Sequence, residues 1–271
     1  MTVLLNRRFP GGGVYLLSAA LCALASLAVH AEFICELSFP SAPSNALENF
    51  PVLVRLAENA PTGFSYADCP TASCIWFTDA GNNVLPFESD TWNASGESLI
   101  WVSVPSLSNV SAITMHWSQN GGEDSPASSE VWKRAGYNAV WHFNGDAKES
   151  VTNLVSSITI GSPTFNGDSS YPGPLGKTLW LNGSSALAYA VDTAWTTLGE
   201  NSSLTISLLA RPVTASLSGY ARMVCCQTSW DVKHGYTFAV HNSVSKITLG
   251  SSDSCELALN KIGRASCRER V

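Results

Sequence analysis

The chain has 271 residues, 45% of them hydrophobic and 13% charged, with 21 acidic against 15 basic side chains and a formal net charge of −6. A basic, phosphate-neutralising surface is therefore absent, and nucleic acid is not an expected partner. No G-x-G-x-x-G, P-loop or G-x-S-x-G elbow occurs, which removes the usual nucleotide-binding and serine-hydrolase signatures.

Residues 1–31 carry Arg7 and Arg8, a 16-residue apolar run over 14–29, and then Val29-His30-Ala31, with small residues where a signal peptidase reads. The run is shorter than the ~18 residues that cross a bilayer. A cleaved secretory signal is the expectation, with the mature chain secreted, periplasmic or at the cell surface and without an integral membrane segment. At the other end, residues 262–271 place three arginines in ten positions after an arginine-poor chain. They resemble the translation of a sequencing adapter joined to a truncated gene, so authentic sequence is expected to continue past Lys261. Residues 32–261 keep 20 acids and 10 bases, a net charge of −10. That suits a soluble exported protein or weak cation binding.

Residues 33–39 are the first expected strand, followed by a turn over 40–45 (P-S-A-P-S-N). Val52, Val54 and Leu56 alternate with Leu53 and Arg55, which predicts a half-buried strand with Arg55 on its outer face. A loop over 59–74 contains Pro61, Gly63 and Pro70. From Ile75 onward, apolar runs are separated by D-A-G-N-N at 79–83 and A-S-G-E at 94–97, both rich in turn-forming residues. The simplest expectation is a three-stranded meander. Leu99 and Trp101 point one way and Ile100, Val102 and Val104 the other, so this strand has two apolar faces and belongs in the middle of a sandwich. A last strand puts Ile113, Met115 and Trp117 on one face and Thr114 and His116 on the other.

This stretch carries a resemblance. L-E-N-F-P-V-L-V-R-L at 47–56, the run I-W-F-T-D-A-G-N-N-V-L-P-F-E-S-D-T-W-N-A-S-G-E-S-L-I-W-V from Ile75, and A-I-T-M-H-W at 112–117 are similar to a bacterial domain-of-unknown-function family, number 2341. The similarity covers roughly residues 45 to 120. That family occurs in large secreted proteins and with ExbB/TolQ-type biopolymer-transport proteins. The resemblance implies a small β-sandwich over 32–118 and transfers no activity.

Residues 119–130 (Q-N-G-G-E-D-S-P-A-S-S-E) have little apolar content and read as a linker. Beyond it, short strand-like runs at 137–144, 178–183, 187–191, 204–212, 236–241 and 246–250 are separated by Gly, Ser, Asn and Pro, and 146–155 offers at most one helical turn. The order W-H-F-N, L-W-L-N-G-S-S, L-T-I-S-L-L-A-R-P is similar to the opening half of a laminin-G-like, concanavalin A-like jelly roll. Such domains run to roughly 200 residues, so 131–261 would hold only part of one. The expected fold class is all-β: two tandem β-sandwich domains, the second incomplete. The second resemblance also implies calcium at a loop rim. Asp168, Asp192 and Asp231 offer oxygen ligands, but no D-x-D-x-D-G array fixes a site, and no cofactor is otherwise expected.

Of eight cysteines, Cys22 lies in the signal and Cys267 in the basic tail. An even remainder in an exported chain favours disulfides over metal. Cys69 with Cys74 is the expected local pair, and Cys255 is expected with either Cys225 or Cys226. Adjacent strand residues face opposite ways, so Cys225 and Cys226 should not share a partner.

Candidate chemistry is sparse. Glu88 and Asp90 on one strand would point to the same side about 7 Å apart, a spacing that invites comparison with glycosidase acid pairs. Their place in the first domain and Asn93 at the third acid's position argue for a solvated pair. The five histidines form no His, Ser and Asp set by spacing. The nine tryptophans are more informative, since aromatic faces stack on sugar rings. Trp92 beside Asn93, and Trp195 and Trp230 in loop-like surroundings, are the ligand-binding candidates. Trp76, Trp101, Trp117, Trp141 and Trp180 lie in strands and suit a core. The expected function is a non-catalytic exported binding or adhesion module for extracellular glycan or a surface protein. An accessory part of a cell-envelope biopolymer-transport complex, or a fragment of a carbohydrate-active enzyme lacking its catalytic residues, are the alternatives.

Overall fold

The computed structural model describes residues 32–165, 175–190, 205–210, 220–226, 236–241, 244–249 and 253–258. The protein is all-β, and the described residues include a single four-residue α-helix. It divides into two compact units at Ala127 and Ser128.

In the first unit, β1 (Phe33–Ser38), β6 (Ala112–Trp117) and β3 (Ile75–Thr78) form one antiparallel sheet in the order β1-β6-β3. A second sheet has the order β2-β5-β4, from β2 (Leu47–Leu56), β5 (Ser98–Leu107) and β4 (Phe87–Thr91). The two sheets share one core. Ile113, Met115 and Trp117 are 2%, 0% and 2% exposed and meet Val54, Leu56, Ile100 and Val102 of the other sheet. This is the alternation expected of strands with one face on a core, where each large side chain contributes about 1.5–3 kcal/mol by leaving water. Phe77 of β3 stacks edge-on to Phe87 of β4 at 5.5 Å, which ties one layer to the other.

Both faces of β5 are occupied, as its sequence requires: Ile100, Val102 and Val104 lie in the core, and Leu99 and Ser103 are buried on the opposite face. Arg55 is exposed and pairs with Glu97. Pro51 sits inside β2 opposite Ser103. Its missing N–H is tolerated because β2 is an edge strand.

The meander expectation is corrected. β3 and β4 do not pair with each other; they lie in opposite sheets. After Thr78 the chain makes a short return, with Asp79 N bonded to Asn83 O, Leu85 N bonded to Phe77 O and a bridge from Thr78 to Val84. Pro86 then has no N–H to extend that ladder, and its carbonyl accepts from Ser103 N of β5 at 3.0 Å. The chain changes sheet at this proline.

Ser118 and residues 119–125, the latter expected as linker, are tied back to the first unit. Ser118 N donates to Cys74 O, Gly122 N to Ser73 O, Gln119 Nε2 to Ala67 O and Ser125 Oγ to Leu85 O, all between 2.9 and 3.1 Å. Gly122 is required by close approach: a Cβ there would lie 2.7 Å from Trp76 Cε3 and 3.0 Å from Ile75 O.

The second unit opens with α1 (Glu130–Lys133), which buries Val131 and Trp132. β7 (Ile158–Ile160) pairs with β8 (Ala186–Ala188). Four antiparallel strands, β9 (Tyr220–Cys226), β10 (Tyr236–His241), β11 (Val244–Leu249) and β12 (Asp253–Ala258), form a sheet in the order β12-β11-β10-β9. Of the expected strands, 137–144 contributes only a single bridge, Trp141 to Glu149, and 205–210 is irregular. Neither run finds a ladder partner among the described residues. The expected helical turn over 146–155 is instead a non-helical turn built around Glu149.

Candidate functional site

Of the expected ligand-binding residues, Trp92 and Asn93 are described, and Trp195 and Trp230 lie outside the described residues, as do Asp168, Asp192 and Asp231. Trp92 follows β4 directly. The ladder between β4 and β5 slips between Ser89 and Thr91, leaving Asp90 as an extra residue. That bulge corrects the expected geometry of the acid pair, because Ser89 and Thr91 oppose the adjacent residues Ile100 and Leu99 and so fall on opposite faces. Regular alternation is lost at Asp90, and Glu88 and Asp90 cannot be assigned to one face by strand geometry.

The half-buried Trp92 is held on three sides. Its Nε1 donates to Pro70 O at 2.9 Å, and its ring meets Tyr66 edge-on at 5.5 Å and Phe64 at 6.5 Å. Phe64 continues the cluster to Trp117 at 5.7 Å. The turn that follows is self-contained: Asn93 Oδ1 accepts from Ser95 N, and Asn93 O accepts from Gly96 N. Asn93 N donates to Ser98 Oγ, which is 2.7 Å from the Tyr66 hydroxyl, and that hydroxyl also donates to Leu56 O. Asn93 is exposed, with its carboxamide oxygen closing the turn.

Beneath this rim, Cys69 and Cys74 stand as free thiols, 0% and 5% exposed, where a disulfide was expected. Burial pushes the Cys69 thiol up, and the neighbouring Cys74 adds to the shift. The expected bond from Cys255 to Cys225 or Cys226 is corrected by the sheet order. Cys255 lies in β12 and the other two in β9, three strand spacings away. At about 4.8 Å per strand that is some 14 Å, well beyond the roughly 4.4–6.8 Å between the Cα atoms of a disulfide. Neither Cys225 nor Cys226 is in a disulfide; one is exposed and the other half-buried, opposite Thr237 and Tyr236.

A third cluster has no counterpart among the motifs read from spacing. On the outer face of the first sheet, Thr78 Oγ1 and His116 Nε2 are 2.9 Å apart and His116 Nδ1 is 2.8 Å from Glu32 Oε1. Hydroxyl, imidazole and carboxylate are in the order of an activated nucleophile, its base and the group that orients it. Thr78 is only 5% exposed, however, and Trp76 stacks on the imidazole at 5.0 Å, so the hydroxyl is not presented to a substrate. The cluster ties β3 and β6 to the residue that precedes β1. These residues are 38 and 84 positions apart, a separation that motif spacing does not detect.

Among the described residues, no group of three or more His, Cys, Asp and Glu could hold a metal ion, and no helix is long and apolar enough to cross a membrane. The chain matches no protein-family model, no curated protein and no solved structure.

Proposed function

We propose that the chain is an exported, non-catalytic binding module that recognises extracellular glycan through the rim around Trp92. The observation that carries this reading is the fixed state of the half-buried Trp92 indole, with its N–H on Pro70 O and its ring walled by Tyr66 and Phe64. Sugar rings stack on aromatic faces. A ring already immobilised by the fold loses little further freedom when it binds, so more of the stacking energy appears as affinity. The net charge of −6 favours neutral or cation-bridged saccharides over polyanions. The apolar N-terminal run over 14–29, with Arg7 and Arg8 before it, supports export.

The test is a glycan array and polysaccharide pull-down with the full chain, Trp92→Phe and Trp92→Ala. Retention is expected for the first two and a loss of at least tenfold for Trp92→Ala. Equal retention of Trp92→Ala, or no retention by a folded wild-type chain, overturns the glycan reading. Retention of a surface protein alone would move the function to protein recognition.

A further inference from the structure

Residues 69–74 form a short loop to which other segments of the first unit are tied. Cys69 Sγ donates to Thr71 O at 3.5 Å and Cys74 Sγ lies 3.6 Å from Thr71 Oγ1, so both buried thiols converge on Thr71. Two separate parts of the unit attach to the same loop: Trp92 through Pro70 O, and the 118–122 segment through Gly122 N on Ser73 O and Ser118 N on Cys74 O. Two adjacent thiols in an apolar interior, with no metal-ligating third residue among the described residues, have one obvious chemistry.

We propose that Cys69 and Cys74 are a redox couple, joined by a disulfide oxidant into a bond that closes the 69–74 ring and locks the loop anchoring Trp92 and residues 118–122. The oxidant is a small-molecule or protein disulfide. One cysteine thiolate attacks a sulfur of that disulfide and expels a thiol; the second cysteine then attacks the mixed disulfide and expels the other thiol. Two electrons and two protons pass from the cysteines to the oxidant, which leaves as two thiols. Burial disfavours the thiolate, so exchange proceeds when the loop opens locally, and the closed product is then shielded from reductants. The proposal stands whether or not Trp92 binds a ligand.

No lysine or arginine lies between Arg55 and Lys133, so both cysteines fall in one tryptic peptide that contains no third cysteine. The full chain is treated with oxidised glutathione, alkylated with and without reduction, digested and weighed. The expected result is a peptide lighter by two hydrogens and blocked to alkylation until reduced, in a chain that melts roughly 10 °C higher than its reduced form. A peptide that still alkylates at both thiols, or that is joined to glutathione or to the peptide of Cys35, overturns the proposal. So does an equal oxidant-driven rise in melting temperature in a Cys69→Ser, Cys74→Ser double variant. The mass readout on the wild-type chain decides the matter even if that variant fails to fold.

Discussion

The indole N–H of Trp92 and the carbonyl of Pro70 are bonded at 2.9 Å, joining the end of β4 to the loop that precedes β3. This contact holds together two segments that meet at no other hydrogen bond described above. Trp92→Phe keeps a ring against Tyr66 and Phe64 and removes only the donor, at an expected cost of about 1 kcal/mol. Trp92→Ala also removes the packing, at about 3 kcal/mol. Urea unfolding of the full chain checks the order; equal costs would mean that the ring contributes nothing.

Gly122 lies where any side chain would enter the Trp76 ring and the Ile75 carbonyl. Gly122→Ala is expected to lose about 1–3 kcal/mol through displacement of the strap. Faster hydrogen exchange at Ser118 and Gly122, whose N–H groups bond Cys74 O and Ser73 O, would locate the damage. Unchanged exchange would show that the strap accommodates the methyl group.

Much of this architecture is legible before any coordinates. Ile113, Met115 and Trp117 declare a core face by alternation, as do Val54 and Leu56, and the double-sided pattern of 98–104 places β5 at the centre of its sheet. What alternation cannot supply is the partner of each strand. β3 and β4 look like a hairpin because D-A-G-N-N separates them, yet Pro86 interrupts the ladder and sends the chain to the other layer. The extra residue at Asp90 is equally hidden, since a bulge leaves no period of its own. Apolar content also misleads at 205–210, a strand-like run that remains irregular, whereas polar D-S-C-E-L-A at 253–258 is a strand because β11 offers it an edge.

Asp79 makes the turn after β3 sensitive to acid. Burial acts to raise its pKa, but hydrogen bonds from the Asn83 side chain and backbone and from Gly81 N outweigh it and hold the carboxyl below the usual range. A depressed folded value stabilises the fold above the unfolded value, near about 3.9, and that contribution disappears as pH falls through the lower folded value. Asp79→Asn should flatten this part of the stability profile on the acid side of the usual carboxylate range. A variant with the wild-type slope would assign the acid sensitivity to other carboxylates.

Glu149 is fully buried in the second unit, where its carboxylate accepts from the backbone N–H groups of Val140, Val151 and Thr152 and from the Thr152 hydroxyl. Four donors converge on two oxygens. Glu149→Gln turns one acceptor into a donor facing donors, at an expected cost of about 2–3 kcal/mol. Limited proteolysis should then cut within 137–155 sooner than in the wild type. An unchanged cleavage rate would mean that the amide is accommodated by rotation of the side chain.

The crossing of the chain between layers at Pro86 has a kinetic consequence. In the first unit only β4 and β5 pair as neighbours in sequence, so β1 must wait for β6 and β2 for β5, and Phe33 finds its partner only at Trp117. Closing such long loops is slow because their entropy is lost before the contacts form. On a ribosome, the first hundred residues therefore remain without a finished layer. The β2-β5-β4 sheet can close once Leu107 has emerged, and the sheet that covers it only once Trp117 has followed.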